Sequence, residues 1–298
     1  MNKAKILFLA MRPWSFVVSI VAVVIPACGL SFIDYSVNWW MVLWAVLGMI
    51  LFHAVGNTVS DYFDFKKGVD SEDTYGQEMV AKGIVSAKYM GTLACVMTVL
   101  AITNGIGLWW ATGWDWRLLV IGGIGAIITL CYAFFKFHAM GDIAITTNFG
   151  FLPALGTSLV ATGNLTWDAL WFVLLFIPIT NAVLHANNTR DTHTDSRAEI
   201  KTIPMIIGKK ASQYIYYFEV LLPCVWTIVL VCLGKLPWLT LIVLASLKLV
   251  LFNCKMMHAF TTDEHAIDHL DERTAQLQMI NSLLILVGLG LNWVISLL

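Results

Sequence analysis

The sequence has few charged residues for its length. Only 12% of its 298 residues are Asp, Glu, Lys or Arg, whereas 59% are hydrophobic and the mean hydropathy is +0.77. A soluble domain would carry about 25% charged residues. The apolar residues fall in long runs, and a run of about 20 residues is what a helix needs to cross a bilayer core. Short alternating segments, typical of a β-barrel, are absent. The composition predicts an all-α polytopic membrane protein.

Other absences narrow the function. The net charge of −1 gives no indication of a nucleic-acid partner. The six cysteines are scattered singly, so neither a disulfide framework nor a Cys-x2-Cys metal site is expected. The sequence contains no phosphate-binding Gly-x4-Gly-Lys loop, Gly-x-Ser-x-Gly elbow or dinucleotide fingerprint, so nucleotide-driven pumping and hydride transfer lack support. The N-terminal region lacks a small-residue cleavage site, so the first apolar run is expected to be a retained span rather than a signal peptide.

Nine apolar segments predict nine transmembrane helices in one domain, residues 1–298. They cover residues 14–33, 38–58, 88–110, 117–135, 143–162, 167–186, 213–233, 236–254 and 278–298. The polar segments on the N-terminal side are then 1–13, 59–87, 136–142, 187–212 and 255–277. Of the 18 lysines and arginines, all except Arg117, Lys235 and Lys248 lie in these segments or at their edges. This bias predicts that the N-terminus and these loops are cytoplasmic and that the C-terminus is not.

The second predicted span ends in the motif Asn57-x3-Asp61-x2-Asp64. On a helix, these three side chains fall within about 60° of one another. Like charges at this spacing repel, so the arrangement is unfavourable without a cation.

A related motif, Asn187-x3-Asp191-x3-Asp195, follows the sixth span and fans over about 80° of a helix. Either motif alone is equally consistent with solvated loop acids. Two matching motifs four spans apart instead predict two four-helix halves plus a ninth helix, with a site between the halves. Hard oxygen ligands favour Mg²⁺, which shares its coordination shell with substrate phosphates. The predicted metal ligands are Asn57, Asp61, Asp64, Asn187, Asp191 and Asp195, and the four aspartates are also the predicted catalytic residues.

Basic residues and a tyrosine lie near the two motifs. Fixed cations at this position would stabilise the charge of a diphosphate leaving group. The predicted diphosphate-binding residues are Lys136, Arg190, Lys201, Tyr132 and Arg12.

Other polar residues receive no catalytic role. His53 and His185 lack a second His or Cys at zinc spacing, so they are expected to pack against or line the helices. The acidic segment 263–272 is expected to be a solvated cytoplasmic helix. Glu219 and Lys248 lie in apolar runs, and a pair between the seventh and eighth helices is one possible arrangement.

Together, the motifs resemble the UbiA superfamily of intramembrane aromatic prenyltransferases, from Arg12 to about Gly208. The resemblance rests on the first motif with Lys67-Gly68-Val69-Asp70, on Tyr132-x3-Lys136, on Gly141-Asp142, and on the second motif with Lys201-Thr202 and Gly208. The first motif is most similar to that of the branch acting on 1,4-dihydroxy-2-naphthoate, because other branches more often have an acid at the position of Phe65. Glu199, Ile200 and Pro204 depart from the pattern, and the family usually has Gly at the position of Glu199.

The resemblance implies Mg²⁺-dependent transfer of a polyprenyl group from a polyprenyl diphosphate to 1,4-dihydroxy-2-naphthoate. Decarboxylation accompanies the transfer and gives demethylmenaquinone, in a bacterial-type inner or plasma membrane. The polyprenyl tail would lie between helices open to membrane lipid.

Two alternatives remain. The same chemistry would suit another acceptor, such as 4-hydroxybenzoate or a chlorophyll-type or heme-type ring. A cation-coupled transporter is a distant alternative, since broken helices at the midplane would support it but the acids gather at one rim. A purely structural protein would not need so many converging polar groups.

Overall fold

The structure is a computed structural model that describes residues 3–68 and 79–298. These residues form fourteen α-helices and no β-strand, which confirms the all-α prediction for the part of the chain described. The helices are α1 (Lys3–Met11), α2 (Val17–Phe32), α3 (Trp39–Lys67), α4 (Ala87–Ala111), α5 (Trp116–Leu130), α6 (Tyr132–Phe137), α7 (Gly141–Ile145), α8 (Leu152–Thr162), α9 (Ile177–Arg190), α10 (Thr192–Arg197), α11 (Ile203–Ile207), α12 (Lys209–Cys232), α13 (Leu247–Ala259) and α14 (Leu270–Ser296).

Most predicted spans correspond to long apolar helices. Seven helices in the described residues are long and apolar enough to cross a membrane: Pro13–Phe32, α3, α4, Gly141–Thr162, α12, Trp238–Ala259 and Glu264–Ser296. The 3₁₀ segment Trp167–Leu175 and α9 meet at a 46° bend and would together make an eighth. The predicted fourth span is the shorter apolar helix α5. The polytopic class is therefore confirmed, whereas the count of nine, the single-domain division and the cytoplasmic side stay predictions.

Helix α3 extends beyond the predicted end of the second span. A loop is predicted from residue 59, but α3 continues to Lys67 and ends at Gly68, which has φ 71°. Glycine lacks a Cβ and adopts this left-handed conformation readily at a helix C-terminus. The entire first motif therefore lies on helix, as its spacing required. Val69 and Asp70 of the predicted Lys67-Gly68-Val69-Asp70 motif lie outside the described residues.

The second motif is not on one continuous helix. Helix α9 ends at Arg190, and Asp191 has φ −86° and ψ 9°, which lies outside the helical region. Asn187 therefore belongs to α9, whereas Asp195 belongs to the short helix α10. Helix-type hydrogen bonds of 2.9 Å still run from the Asp191 N–H to the Asn187 carbonyl and from the Asp195 N–H to the Asp191 carbonyl, so the break is local and the 80° fan stays a prediction.

The last helix closes the bundle. Helix α14 packs against α9 and also against α2, so the end of the chain contacts its beginning. Its closest approach is to the 3₁₀ segment Trp238–Ser246. At Gly288, a Cβ would lie 2.6 Å from the Thr240 Cα and 2.8 Å from the Leu239 carbonyl oxygen. Only glycine allows the two backbones to come this close.

Replacing Gly288 should therefore destabilise the bundle. We expect Gly288→Ala to lower the free energy of unfolding by about 1–3 kcal/mol, because the methyl group would press on backbone that cannot move aside. Gly290→Ala is the matched control, since a Cβ there meets nothing within 4 Å. Thermal unfolding of both variants in detergent would test this, and an equal melting temperature for the two would contradict it.

Candidate active site

One large cavity lies inside the bundle, and both predicted motifs line it. Its volume is about 1130 Å³. Asn57 and Asp64 of the first motif and Asn187, Asp191 and Asp195 of the second are all in its wall. The structure thus brings together two motifs that are far apart in the sequence, as predicted.

Asp61 of the first motif is buried beside Arg12. The two side chains form an ion pair, and Arg12 lines the cavity whereas Asp61 does not. Arg12 has φ 53°, an uncommon left-handed conformation for a residue with a side chain. The Nδ2 of Asn57 donates a 2.9 Å hydrogen bond to the Met11 carbonyl, which holds this segment against α3. The predicted residues Asn57, Asp61 and Arg12 therefore form one local unit.

Asp64 pairs with Lys136, which α6 brings to the same wall. The Lys136 Nζ lies 2.8 Å from Asp64 Oδ2, and the Ser60 hydroxyl donates to the same oxygen at 3.1 Å. Asp64 Oδ1 is buried and has no hydrogen-bond partner among the described residues. A buried carboxylate oxygen is unfavourable unless a hydrogen-bond donor or a cation contacts it. Tyr132, one turn before Lys136, also lines the cavity.

Arg190 links the second motif to the last helix. Its Nε and Nη2 donate to the two Asp191 carboxylate oxygens at 2.7 and 2.9 Å, and Nη2 also donates to Asn187 Oδ1 at 2.7 Å. Its Nη1 lies 2.7 Å from the Asp271 carboxylate. The Arg190 side chain is only 8% exposed. Bidentate contacts of this kind fix the guanidinium plane, so Arg190 orients the second motif as well as facing the cavity.

Asp271 is a site residue that sequence reasoning missed. The acidic segment 263–272 was expected to be solvated, and this holds for Glu264 and His265, which are exposed. It is wrong for Asp271, which is 17% exposed and lines the cavity at the start of α14, whereas Glu272 lines the cavity but is itself exposed. No sequence pattern reveals this, because the position of Asp271 depends on how α14 packs against α9.

Lys201 is the predicted residue that the structure does not bring to the cavity. Its side chain is exposed and is not part of the cavity wall. Its backbone N–H instead donates to the Phe137 carbonyl at 3.2 Å, which ties the loop after the second motif to α6. Glu199, two residues earlier, has φ 57°. Glycine is favoured in this conformation, which explains why glycine is usual at this position in the family that the sequence resembles.

Carboxylates outnumber cations at this end of the cavity. Arg12, Lys136 and Arg190 each contact at least one carboxylate, whereas Asp195 forms no ion pair with any described residue. The pKa of Asp195 is raised to about 6, chiefly by burial, with Lys136 lowering it and the nearby Asp191 and Asp64 carboxylates also raising it. The remaining negative charge, the oxygen ligands and the unsatisfied Asp64 oxygen together fit a hard divalent cation such as Mg²⁺.

The rest of the cavity is apolar and reaches the outer surface of the bundle. Its wall between α3, α4, α5 and α8 includes Met49, Phe52, Gly105, Ile121, Gly122, Leu152 and Val160. Ile102 and Ile106 of α4 line the cavity and are 46% and 51% exposed. Leu119 of α5 also lines it and is 52% exposed. The apolar part of the cavity is therefore lined in part by exposed apolar residues of α4 and α5.

The family follows from a comparison with known sequences. The sequence model of the UbiA prenyltransferase family matches residues 22–267. The chain belongs to this family. It is a prenyltransferase, and the resemblance seen in the motifs is confirmed at the family level.

Individual relatives and solved structures agree with this assignment. UbiA prenyltransferase domain-containing protein 1 of Rattus norvegicus is 29% identical, over 94% of this chain and 82% of the relative. The Drosophila melanogaster homolog is 30% identical, over 72% of this chain and 61% of its own. The apo structure of a UbiA homolog from Aeropyrum pernix K1 superposes with a TM-score of 0.70 at 12% identity, covering 95% of this chain and 98% of the other.

A second solved structure is a UbiA homolog from Archaeoglobus fulgidus bound to GPP and Mg²⁺, with a TM-score of 0.60 at 12% identity. It covers 94% of this chain and 99% of the other. At these identities, the solved structures establish the fold alone. None of these names gives an aromatic acceptor, so the naphthoate branch and the bacterial-type membrane stay predictions.

Binding of Mg²⁺ should depend on pH through Asp195. Because the carboxylate must lose its proton to bind the cation, the apparent affinity should fall as the pH is lowered past about 6. The fall should approach about tenfold per pH unit, the limit for release of one proton. Calorimetric titration of the full-length protein with Mg²⁺ at several pH values would measure this. Asp195→Asn should bind more weakly and lose this dependence, and a wild-type affinity that does not change with pH would contradict the prediction.

Proposed function

We propose that this prenyltransferase uses Mg²⁺ to transfer a polyprenyl group from a polyprenyl diphosphate to 1,4-dihydroxy-2-naphthoate. Carbon dioxide and diphosphate are released and the ring stays at the hydroquinone level, so the immediate product is the quinol form of demethylmenaquinone, as in menaquinone biosynthesis. The observation that carries the proposal is the division of one cavity into two parts. One end holds two Asn/Asp motifs with their cations, and the other end is apolar, with exposed residues of α4 and α5 in its wall.

The polar end suits a diphosphate and its metal. The residues that would hold Mg²⁺ are Asn57, Asp61, Asp64, Asn187, Asp191 and Asp195. Mg²⁺, when bound, would neutralise the charge that develops on the leaving diphosphate. Lys136, Arg190 and Arg12 donate hydrogen bonds from fixed positions, which is favourable for the same charge because no reorganisation is needed. The GPP and Mg²⁺ bound to the Archaeoglobus fulgidus homolog support this arrangement.

The apolar end suits the isoprenyl chain. When the C–O bond to the diphosphate breaks, both electrons leave with oxygen and the allylic carbon becomes cationic. An apolar wall keeps water away from this carbon, so the aromatic ring is the nucleophile. A bond then forms from the ring carbon to the allylic carbon, and the carboxyl group of the ring leaves as carbon dioxide. Gly105, Gly122 and Gly123 leave open space along this wall, since a Cβ at each would meet nothing within 4 Å.

The choice of naphthoate rests on the spacing of the first motif. Asp64 stands three residues after Asp61, and Phe65 occupies the position where other branches more often have an acid. A different aromatic acceptor, such as 4-hydroxybenzoate, would use the same diphosphate site. Family membership argues against the transporter alternative.

Removing either motif's central aspartate should abolish transfer. We expect Asp61→Ala and Asp191→Ala each to lower turnover by at least about 100-fold. Each substitution would remove part of the electrostatic stabilisation of the departing diphosphate. Product formation from a polyprenyl diphosphate and Mg²⁺ would be measured in detergent, with gel filtration to check folding. Glu264→Ala removes an exposed carboxylate away from the cavity and should retain activity. Turnover by a folded Asp191→Ala protein at the wild-type rate would refute the metal assignment.

The acceptor can be tested directly. Carboxyl-labelled 1,4-dihydroxy-2-naphthoate and 4-hydroxybenzoate would be offered in parallel with isoprenyl diphosphates of several lengths. We expect prenylation of the naphthoate, with one labelled carbon dioxide released for each product molecule. If only the benzoate is prenylated, the choice of acceptor is wrong while the reaction class stands.

A further inference from the structure

A second group of ligating side chains lies outside the large cavity. Asp142 at the start of α7, His185 on α9 and Glu219 on α12 each offer one ligand atom, and these atoms lie within 4.8 Å of one another. None of the three residues lines the large cavity. We propose that this group, the α7–α9–α12 cluster, binds a divalent transition-metal ion of the zinc class.

Glu219 is the residue that most requires a partner. It is only 9% exposed, and its Oε2 has no hydrogen-bond partner. Among the described residues, no lysine or arginine forms an ion pair with Glu219 or with Asp142. The possible pair with Lys248 is not formed, since Lys248 is exposed elsewhere. Two carboxylates this close in an apolar interior are unfavourable unless a cation or a proton neutralises them.

The hydrogen bond of His185 leaves its Nδ1 available to a metal. Its Nε2 lies 3.1 Å from the Ser212 carbonyl oxygen, which can only accept a hydrogen bond. The proton is therefore on Nε2, and Nδ1 keeps a free lone pair. Metal-binding histidines commonly donate their other N–H to a carbonyl or carboxylate in this way. Ser212 and Glu219 are seven residues apart, so they lie on the same face of α12.

The ligand types favour a zinc-class ion over Mg²⁺. One imidazole nitrogen with two carboxylate oxygens is a common donor set for Zn²⁺, and a water can complete the tetrahedron. Mg²⁺ prefers oxygen ligands and gives up its waters reluctantly, which makes a largely buried site with a nitrogen ligand unsuitable. The proposed site is therefore chemically different from the two Asn/Asp motifs.

An entry path is also present. Asp142 lines a separate crevice of about 330 Å³, together with Ile143, Thr146, Thr147 and Phe151. The ion would enter from this crevice, meet Asp142 first and then reach the buried Glu219. Bound there, it would join three helices just below Asn187.

Zinc binding to the full-length protein would test the proposal. Purified protein in detergent would be titrated with Zn²⁺ against a fluorescent chelator, in the presence of saturating Mg²⁺ and inorganic diphosphate to occupy the two motifs. We expect each wild-type chain to bind one Zn²⁺ in addition to the Mg²⁺ held by the two motifs. Glu219→Gln and Asp142→Asn should each weaken this binding by at least about tenfold, and Zn²⁺ should raise their melting temperatures less than that of the wild type.

Asp168→Asn is the matched control, because Asp168 is a half-buried carboxylate that pairs with Lys235 and Tyr35 instead. It should bind Zn²⁺ as the wild type does, and the six cysteines are unchanged in every variant. If Glu219→Gln does not fold, Asp142→Asn, at the less buried position, carries the test. Equal Zn²⁺ binding by the wild type and a folded cluster variant, or no additional binding by the wild type, would overturn the proposal. Neither outcome affects the proposed prenyl transfer.

Discussion

Excess negative charge at one end of an apolar cavity is the constraint on which this structure depends. Three of the predicted diphosphate-binding residues are cations that line the cavity. Each already contacts a carboxylate of the predicted metal site: Arg12 contacts Asp61, Lys136 contacts Asp64, and Arg190 contacts Asp191. Buried charges are tolerated only when they are paired. Under the proposed function, binding of a metal and a diphosphate would therefore exchange partners, with the carboxylates turning to the metal and the cations to the phosphate oxygens.

The helical scaffold follows from this need to bring distant charges together. The first motif lies on the last turns of α3, Lys136 comes from α6 and the second motif spans the end of α9. Short polar connections such as the Lys201 backbone contact to Phe137 hold these ends in register. The apolar remainder of the same helices forms the hydrophobic part of the cavity. One set of helices therefore provides both a charged pocket and a lipid-facing channel.

The sequence predicted the elements with local signals and missed those that depend on packing. Apolar runs located the spans, and the helical spacing of Asn57, Asp61 and Asp64 was correct because α3 continues to Lys67. The turn at Asp191 was missed because its cause lies in tertiary contacts. Asp271 was missed for a similar reason, since its partner Arg190 is on another helix. Lys201 carries a suitable charge in a suitable loop, but its backbone rather than its side chain makes the contact.

The contact between Arg190 and Asp271 also has a consequence for biogenesis. A chain made from its N-terminus completes both Asn/Asp motifs well before α14 is synthesised. Until α14 inserts, Arg190 lacks one of its carboxylates and the cavity lacks part of its wall. A chain that stalls before α14 would therefore carry both motifs but lack Asp271 and the part of the cavity wall that α14 provides.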